Sequence, residues 1–449
     1  MTISPIEERY GRPVIREIFE QQNRLNYMLK VEIAISEAQM KNKVIPECDL
    51  KELKEILKVG VDIKRMSEIE KETKHDIMAF IRTIEVQSHD SFKFLHFGIT
   101  SNDIIDSATA LQIKDYCAYL AEDIKAMQAS LIEKIEKHKG TAMLGRTHGQ
   151  HASPITFGLK LSTYLEEFNR HWERLKDIKN RILTGKALGP VGTGASMGSA
   201  ALKVSEDAMK SLGLNSEIAT GQLVARDRYI EFLQLLGNIA TTCEKIGTEI
   251  RNLQRPEIFE VMEYFESLNQ VGSSSMPSKR NPIESENVCS LSRMIRSFTV
   301  PETEAAVTWH ERDLTNSAIE RFTIPYSCIL TDYVLTKLTK IISNLVVNEI
   351  NMKRNLLGSP LCISENLTSQ LTIKGIDRTK AHEIIRKVSM EFYEGRNDLY
   401  TILRKSEFGK LFTEAKITEF IDPLNFIGSS SEICDIAIEN THKLWGEKL

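Results

Sequence analysis

Residues 272–282 read Gly-Ser-Ser-Ser-Met-Pro-Ser-Lys-Arg-Asn-Pro and are flanked on both sides by helical patterns. A segment with this glycine and these two prolines cannot lie in a packed helix interior, so we predict a loop. Pro282 suits the first turn of a following helix. Lys279 and Asn281 are therefore predicted just before a helix N-terminus, where N–H groups and the helix dipole favour an anion.

This loop has two interpretations. By composition alone, a Ser- and Gly-rich segment is equally well a flexible, solvated connector. The functional interpretation is a loop that carries a nucleophile or base beside an anion-stabilising Lys/Asn pair.

The bulk composition is that of an ordinary soluble globular protein. The chain has 449 residues, of which 41% are hydrophobic and 27% charged, and its formal net charge is −4. A near-neutral charge without a basic run argues against nucleic-acid or membrane binding. Seven cysteines without a Cys-x-x-Cys pair indicate reduced thiols, and no apolar leader or 18-residue apolar run occurs. We predict a cytoplasmic protein.

Hydrophobic spacing predicts long helices through most of the chain. Between Asp103 and Lys139 the apolar positions recur at alternating spacings of four and three, as on one face of a helix. Further long helical patterns cover 155–184, 225–267 with a kink at Pro256, 283–299, and 319–351 with Pro325 early in it.

Long amphipathic helices bury their apolar faces on one another and need long neighbours. We therefore predict an all-α protein in three parts. A central long-helix bundle at 101–351 would lie between an N-terminal helical domain at 1–100 and a C-terminal helical domain at 352–449.

Polar loops precede two of the predicted helices. In one, Thr73 or Asp76 would cap the helix and leave His75 in solvent. In the next, Thr100 and Ser101 would serve as caps, although hydroxyls beside helix N–H groups also bind a carboxylate or phosphate.

The segment 146–151, Arg-Thr-His-Gly-Gln-His, contains two histidines three residues apart. They are compatible with a metal pair, but Gly149 and Pro154 indicate a loop and no third ligand is evident, so we predict no metal. A general acid fits better, because an imidazolium near neutral pH can protonate a leaving amine. His148 is the candidate.

Two further segments, one rich in glycine and one rich in charge, are candidate ligand sites. The glycine-rich residues 185–198 lack the Gly-Lys-Ser/Thr ending and the strand context of a nucleotide loop, so a tight connection between helices without a site is predicted. Residues 309–313, Trp-His-Glu-Arg-Asp, begin a charged segment that is either a solvated helix start or an anion clamp. The clamp would consist of Arg312, Ser317 and Arg321.

Together these motifs resemble the adenylosuccinate lyase family of the fumarase/aspartase superfamily. Residues 272–282 match the superfamily signature Gly-Ser-Ser-x-Met-Pro-x-Lys-x-Asn-Pro. The Glu-Arg-Tyr-Gly-Arg-Pro at 8–13, the Lys-His-Asp at 74–76, the 309–313 motif and Arg280 point to this family within it. The resemblance covers nearly the whole chain.

The resemblance implies β-elimination of fumarate from adenylosuccinate, giving AMP, and from succinylaminoimidazole carboxamide ribotide in purine biosynthesis. A base would remove a proton from the carbon next to one succinyl carboxylate, leaving an aci-carboxylate, and an acid would protonate the departing nitrogen. It further implies that no cofactor is needed and that the enzyme is a homotetramer whose sites are shared by three subunits.

The resemblance also implies a role for each motif. Ser274 would be the base and His148 the acid, with His75 as a second candidate for the acid. Lys279 and Asn281 would hold the carboxylate on which negative charge builds up. The nucleotide and its phosphate would be held by Arg9, Tyr10, Arg312, Ser317 and Arg321. The succinyl group or base would be contacted by Asp76, Thr100, Ser101, Thr147 and Gln222.

Two other functions remain open at this point. A carboxymuconate cycloisomerase of the same superfamily has a nearly identical signature but no use for a phosphate clamp. A catalytically silent helical scaffold is the alternative from another class. Two positions also depart from the family pattern, because Ser278 and Lys74 stand where this family often has His and Arg, and Lys74 cannot make a bidentate contact.

Overall fold

A computed structural model describes residues 4–89, 92–265, 275–395 and 397–446. Helices account for most of these residues and strands for a few short pairs, so the predicted all-α class is confirmed. No helix within the described ranges is long and apolar enough to span a membrane.

The helices follow one another along the whole chain. The first are α1 (Pro13–Phe19), α2 (Gln21–Lys41), α3 (Lys51–Val59), α4 (Ile63–Thr73) and α5 (Asp76–Gln87). The long helices and the shorter ones among them are α6 (Ser101–His138), α7 (Phe157–Ile182), α8 (Ala201–Leu212), α9 (Asp227–Leu253), α10 (Ile283–Ser297), α11 (Thr299–Ala305) and α12 (Ser317–Ser343). The last are α13 (Glu349–Leu357), α14 (Ser364–Ile373), α15 (Arg378–Tyr393), α16 (Leu399–Lys405), α17 (Glu407–Leu411), α18 (Glu414–Ile421) and α19 (Ser430–Trp445).

The strands form two-stranded pairs. The strand β1 (Ala142–Thr147) pairs antiparallel with β2 (Gln150–Thr156). The others are β3 (Thr184–Gly185) parallel to β4 (Asn215–Ser216), and β5 (Val261–Met262) antiparallel to β6 (Val346–Val347). His148 and Gly149 form the turn of the β1–β2 hairpin with φ of 54° and 72°. Positive φ at both central residues matches the right-handed twist of a two-residue hairpin.

The predicted limits of the long helices agree with the structure to within a few residues, except that two of these helices end earlier than predicted. Helix α9 ends at Leu253 instead of continuing to 267, because Pro256 lacks a backbone N–H and stops the helix rather than kinking it. Helix α12 contains Pro325 as predicted but ends at Ser343, and a short strand separates it from α13.

The chain forms two compact units. One comprises the described residues within 1–124, 171–243 and 290–336, and the other those within 125–170, 244–289 and 337–449. Each of the five long helices supplies residues to both units. The predicted division at 100/101 and 351/352 stays a prediction.

Each unit has its own apolar core. In the first unit Tyr116 of α6 and Phe232 of α9 are fully buried and meet edge to face, with ring centroids 6.0 Å apart. In the second unit a cluster built mainly from α13 to α18 surrounds the buried Phe408. Burial of such apolar side chains stabilises each unit by about 25 cal/mol for every Å² removed from water.

Candidate functional site

One side-chain amide in the first unit connects two predicted binding residues. The Nε2 of Gln222 donates to the Oγ1 of Thr100 at 3.3 Å, and its Oε1 accepts from a terminal nitrogen of Arg312 at 2.9 Å. The structure thus brings together a residue predicted for the succinyl group or base and one predicted for the phosphate.

The buried carboxylate of Asp103 holds the backbone of Thr100 in place. The Oδ2 of Asp103 accepts from the backbone nitrogen of Thr100 at 2.8 Å and from that of Gly189 at 2.9 Å. Its Oδ1 accepts from the ammonium of Lys186, and both side chains are completely buried. Burial raises the pKa of Asp103, while the Lys186 charge acts in the opposite direction.

The glycine-rich segment 185–198 packs closely against α6. A Cβ at Gly185 would lie 2.4 Å from the Oγ of Ser107 on α6, so only glycine permits the close approach. The segment is the tight connection between α7 and α8 that we predicted, and its backbone positions Asp103.

A cavity of about 310 Å³ in the same unit is lined by the residues of the predicted anion clamp. Arg312, Ser317 and Arg321 all line it. The Nε of Arg312 is buried without a hydrogen-bond partner, and burial lowers the pKa of this guanidinium. A desolvated guanidinium that faces a cavity favours an anionic ligand.

The wall of this cavity is fixed by a buried ion network. The guanidinium of Arg226 contacts both carboxylate oxygens of Asp106 at 2.8 and 2.9 Å, and those of Glu320 at 2.7 and 3.0 Å. Because Asp106 lies on α6 and Glu320 on α12, this one guanidinium joins the two helices. Removing one member of such a group would leave an uncompensated buried charge.

His75 and Asp76 lie at the start of α5. The Nδ1 of His75 accepts from the backbone nitrogen of Met78 at 3.2 Å, so the helix cap is His75, and the expected capping by Thr73 or Asp76 is wrong. An accepting Nδ1 leaves the proton of the neutral ring on Nε2. The Oδ2 of Asp76 lies 3.3 Å from a terminal nitrogen of Arg321, which connects this motif to the cavity.

Arg9 and Tyr10 are not among the cavity residues. The Arg9 guanidinium lies 5.9 Å from the ring centroid of Tyr10, whose ring meets that of Tyr333 on α12 at 5.2 Å. Of the residues predicted for the nucleotide, the cavity thus gathers Arg312, Ser317 and Arg321 but not Arg9 and Tyr10.

Thr147 and His148 are exposed at the tip of the β1–β2 hairpin, in the second unit. Arg146 holds the base of this hairpin through two bonds to the buried carboxylate of Glu260, at 2.7 and 2.9 Å. His151 pairs with the hydroxyl of Ser359 at 2.7 Å. Within the described ranges, no group of three or more His, Cys, Asp or Glu side chains is placed to hold a metal ion.

The signature loop ends at α10, also in the second unit. Ser274 lies outside the described residues, whereas Lys279 and Asn281 precede the first helical residue, Ile283, as predicted. Gln254 holds this end of the loop, because its Nε2 donates to the carbonyl oxygen of Arg280 at 3.1 Å.

The N–H groups at the start of α10 do not all face outward. The carboxylate of Glu263 accepts from the backbone nitrogens of Ser285 at 2.6 Å and Glu284 at 3.3 Å. These two donors are already occupied by a protein carboxylate, and an anion site before α10 stays a prediction. A ligand anion here would depend on the side chains of Lys279 and Asn281.

Comparison with known proteins decides the family. A family model described as "Lyase" matches residues 8–296, and one described as "Adenylosuccinate lyase C-terminus" matches residues 360–437. The chain is 41% identical to the adenylosuccinate lyase of Methanocaldococcus jannaschii over 98% of this chain and 96% of that protein. The chain belongs to the adenylosuccinate lyase family. It is also 42% identical to the adenylosuccinate lyase of Pyrococcus horikoshii over 99% of both chains.

Solved structures agree with the family's fold. The fumarate lyase from Mesorhizobium sp. BNC1 matches with a TM-score of 0.87 and 25% identity, over 98% of this chain and 99% of that chain. The 3-carboxy-cis,cis-muconate lactonizing enzyme from Pseudomonas putida matches with the same TM-score and identity, over 97% and 98%. The predicted resemblance is confirmed, and the protein is a member of a lyase family.

Three residues with notable contacts were not predicted from the sequence. In the first unit they are Arg24 in the cavity wall and His96 two residues before Gly98, and in the second unit Glu263, whose carboxylate accepts from a backbone nitrogen of α10. The Nδ1 of His96 lies 2.6 Å from the buried Glu32. Burial acts to lower the pKa of His96, but the hydrogen bond and charge of Glu32 outweigh it and raise that pKa.

Glu32, the partner of His96, gave a sequence signal that could have revealed this contact. Its carboxylate stands between Val31 and Ile33 in an apolar stretch of α2, and a charged group in such a place needs a partner. Glu263 stands in the same way between Met262 and Tyr264, whereas Arg24 looks like an ordinary surface charge in the sequence.

Proposed function

We propose that this protein eliminates fumarate from adenylosuccinate, giving AMP, and from succinylaminoimidazole carboxamide ribotide in purine biosynthesis. The observation that carries this proposal is the similarity to adenylosuccinate lyases over nearly the full length of the chain. The cavity that gathers Arg312, Ser317 and Arg321 supports it independently, because a nucleotide substrate needs a phosphate site.

The proposed chemistry moves two protons. Ser274, as its alkoxide, removes the proton next to one succinyl carboxylate and becomes the hydroxyl, and the electron pair passes into that carboxylate to form the aci-carboxylate. Lys279 and Asn281 stabilise this added charge, so their contribution grows toward the transition state. The carbon–nitrogen bond then breaks, and an imidazolium supplies a proton to the departing nitrogen.

Either His148 or His75 is proposed as the acid. Nδ1 of His75 is engaged by the N–H of Met78, so Nε2 is the atom from which His75 would donate. His148 is exposed on a tight hairpin turn that is anchored through Arg146, which suits a group presented to a bound substrate.

We further infer a cytoplasmic homotetramer whose sites are shared by three subunits. The separation of Arg9 and Tyr10 from the cavity supports sharing, as does the exposure of His148. Met294 on α10, Val300 on α11 and Phe322 on α12 are 48%, 64% and 58% exposed. Large apolar side chains in such numbers on neighbouring helices favour contact with other chains.

The test of the function is turnover of adenylosuccinate by the purified protein, followed by absorbance with fumarate assayed in parallel and EDTA in a duplicate. Equimolar release of AMP and fumarate, unaffected by EDTA, is expected. Failure to release fumarate from either nucleotide, together with turnover of a carboxymuconate, would assign the protein to the cycloisomerase alternative instead.

A second experiment tests the sharing of sites. Ser274→Ala and His148→Ala variants are each expected to be inactive alone. If their side chains reach one site from different subunits, mixing and reassembling the two variants restores part of the activity. If the mixture stays inactive although it forms mixed tetramers, the shared site is wrong.

A further inference from the structure

We propose that Arg24 of α2 is a third arginine that binds the phosphate of the nucleotide, beside Arg312 and Arg321. This inference rests on the proposed function, because it assigns a further residue to the same phosphate site. It goes beyond the sequence motifs, since Arg24 belongs to none of them.

Arg24 lies in the first turns of α2 and lines the 310 Å³ cavity together with Arg312, Ser317 and Arg321. Two distant segments of the chain thus bring three arginines to the lining of one small space. Such convergence of guanidinium groups is typical of sites that recognise a phosphate through several hydrogen bonds.

Two of the three arginines have no protein counter-ion among the described residues. Among the described residues, the Arg24 guanidinium has no hydrogen bond or ion pair, and that of Arg312 bonds only to the neutral amide of Gln222. Arg321 contacts Asp76 at 3.3 Å. Two guanidinium groups without a carboxylate at ion-pair distance match the charge of a phosphate dianion.

Electrostatics within the cavity agree with this assignment. Burial lowers the pKa of Arg24, the positive charge of Arg321 lowers it further, and Asp76 acts in the opposite direction. A partly buried cation that is repelled by a second cation is costly for the empty protein. A dianionic ligand would relieve the desolvation cost and the repulsion together.

The alternative is that Arg24 only packs its aliphatic stem against the cavity wall, as long charged side chains often do. Removing the charge would then affect all ligands of the site equally. A phosphate contact, in contrast, is lost only by ligands that carry the phosphate.

The test compares AMP with adenosine in equilibrium binding to the full-length protein and to Arg24→Gln and Arg24→Lys. We expect Arg24→Gln to weaken AMP binding by about 10- to 100-fold, the usual effect of losing a hydrogen bond to a charged group, and to leave adenosine binding nearly unchanged. The AMP affinity of Arg24→Lys should lie between those of Arg24→Gln and the unaltered protein, because lysine keeps the charge but not the planar fork.

The matched control is Arg82→Gln, at an exposed position of α5 outside the cavity lining. It should bind both ligands like the unaltered protein. Equal weakening of AMP and adenosine by Arg24→Gln, or no weakening of AMP, would overturn the role of Arg24. Equal affinity of the unaltered protein for AMP and adenosine is a different result, because it would remove the phosphate site itself, whereas the proposed function fails only if adenylosuccinate releases no fumarate.

Discussion

The carboxylate of Glu263 lies 2.6 Å from the backbone nitrogen of Ser285 and caps the helix that directly follows Lys279 and Asn281. Glu263 is buried, and burial raises the pKa of its carboxyl group. Its own backbone nitrogen donates to Gln254, which also holds the carbonyl oxygen of Arg280. These two residues fix the end of the signature loop without belonging to it.

The first prediction concerns this cap. Glu263→Ala leaves buried N–H groups of α10 without an acceptor, so it should lower the free energy of unfolding by about 1–3 kcal/mol. It should also lower kcat, because Lys279 and Asn281 lose their fixed position, while AMP affinity stays the same. Chemical denaturation and steady-state kinetics measure the two effects. Glu263→Gln keeps one acceptor and serves as the control; an Ala variant with unchanged stability and kcat would refute the role.

The second prediction concerns the acidic pair that anchors the N-terminal segment. Arg12 bridges Asp123 of α6 and Asp332 of α12, with its guanidinium 2.7 Å from an Asp123 oxygen. Burial, followed by the charge of Asp332, raises the pKa of Asp123 from 3.8 to about 7. The folded state therefore binds a proton that the unfolded state does not bind between these two values.

This difference in proton binding sets the direction in which stability changes with pH. Because the pKa is raised on folding, the contribution of Asp123 to stability increases as the pH falls from 8 to 6, by about 1 kcal/mol. Asp123→Asn should remove that part of the pH dependence. Urea unfolding of both proteins at pH 6 and pH 8 measures it. An identical change in stability between the two pH values for both proteins would show that Asp123 does not titrate in this range.

The third prediction concerns the proposed base. Ser274→Ala should lower kcat by orders of magnitude while adenylosuccinate still binds, as expected for a group that acts mainly in the transition state. Rapid-quench turnover together with equilibrium binding separates the two quantities. Ser278→Ala, in the same loop but without a proposed role, is the control. Near-normal turnover by Ser274→Ala would remove Ser274 as the base.

The fourth prediction concerns the anion clamp. Arg321→Ala removes a guanidinium from the cavity, so KM for adenylosuccinate should rise by about 10- to 100-fold with a smaller change in kcat. The variant also frees Asp76, so Asp76→Asn is a useful companion that breaks the same contact and keeps the arginine. If KM stays unchanged in Arg321→Ala, the clamp does not hold the phosphate.

Much of the fold could be predicted because the long helices carry a repeating apolar pattern. The stripe Leu120, Ile124, Met127, Leu131 and Ile135 is fully buried, and the limits of α6 differ by one or two residues from those predicted. Short strands could not be predicted in this way. The β1–β2 hairpin depends on the backbone conformation of His148 and Gly149 rather than on an alternating pattern.

The candidate site was predictable only where a motif marks it. Arg312, Ser317 and Arg321 stand close together in the sequence, and the structure places all three in one cavity. Arg24 lines that cavity from a distant segment of the chain, and no local pattern distinguishes it from a surface charge. Its position follows from the packing of helices, which a single sequence does not reveal.

The most direct test of the proposed lyase with an arginine-lined phosphate site is a comparison of adenylosuccinate with its dephosphorylated form, succinyladenosine. Both contain the bond that would be broken, so fumarate release reports the same chemistry in each case. We predict turnover of both, with kcat/KM for adenylosuccinate higher by about two orders of magnitude or more, since several charge-assisted hydrogen bonds hold the phosphate. Equal kcat/KM values would contradict the phosphate site, and no fumarate from either compound would contradict the proposed lyase activity.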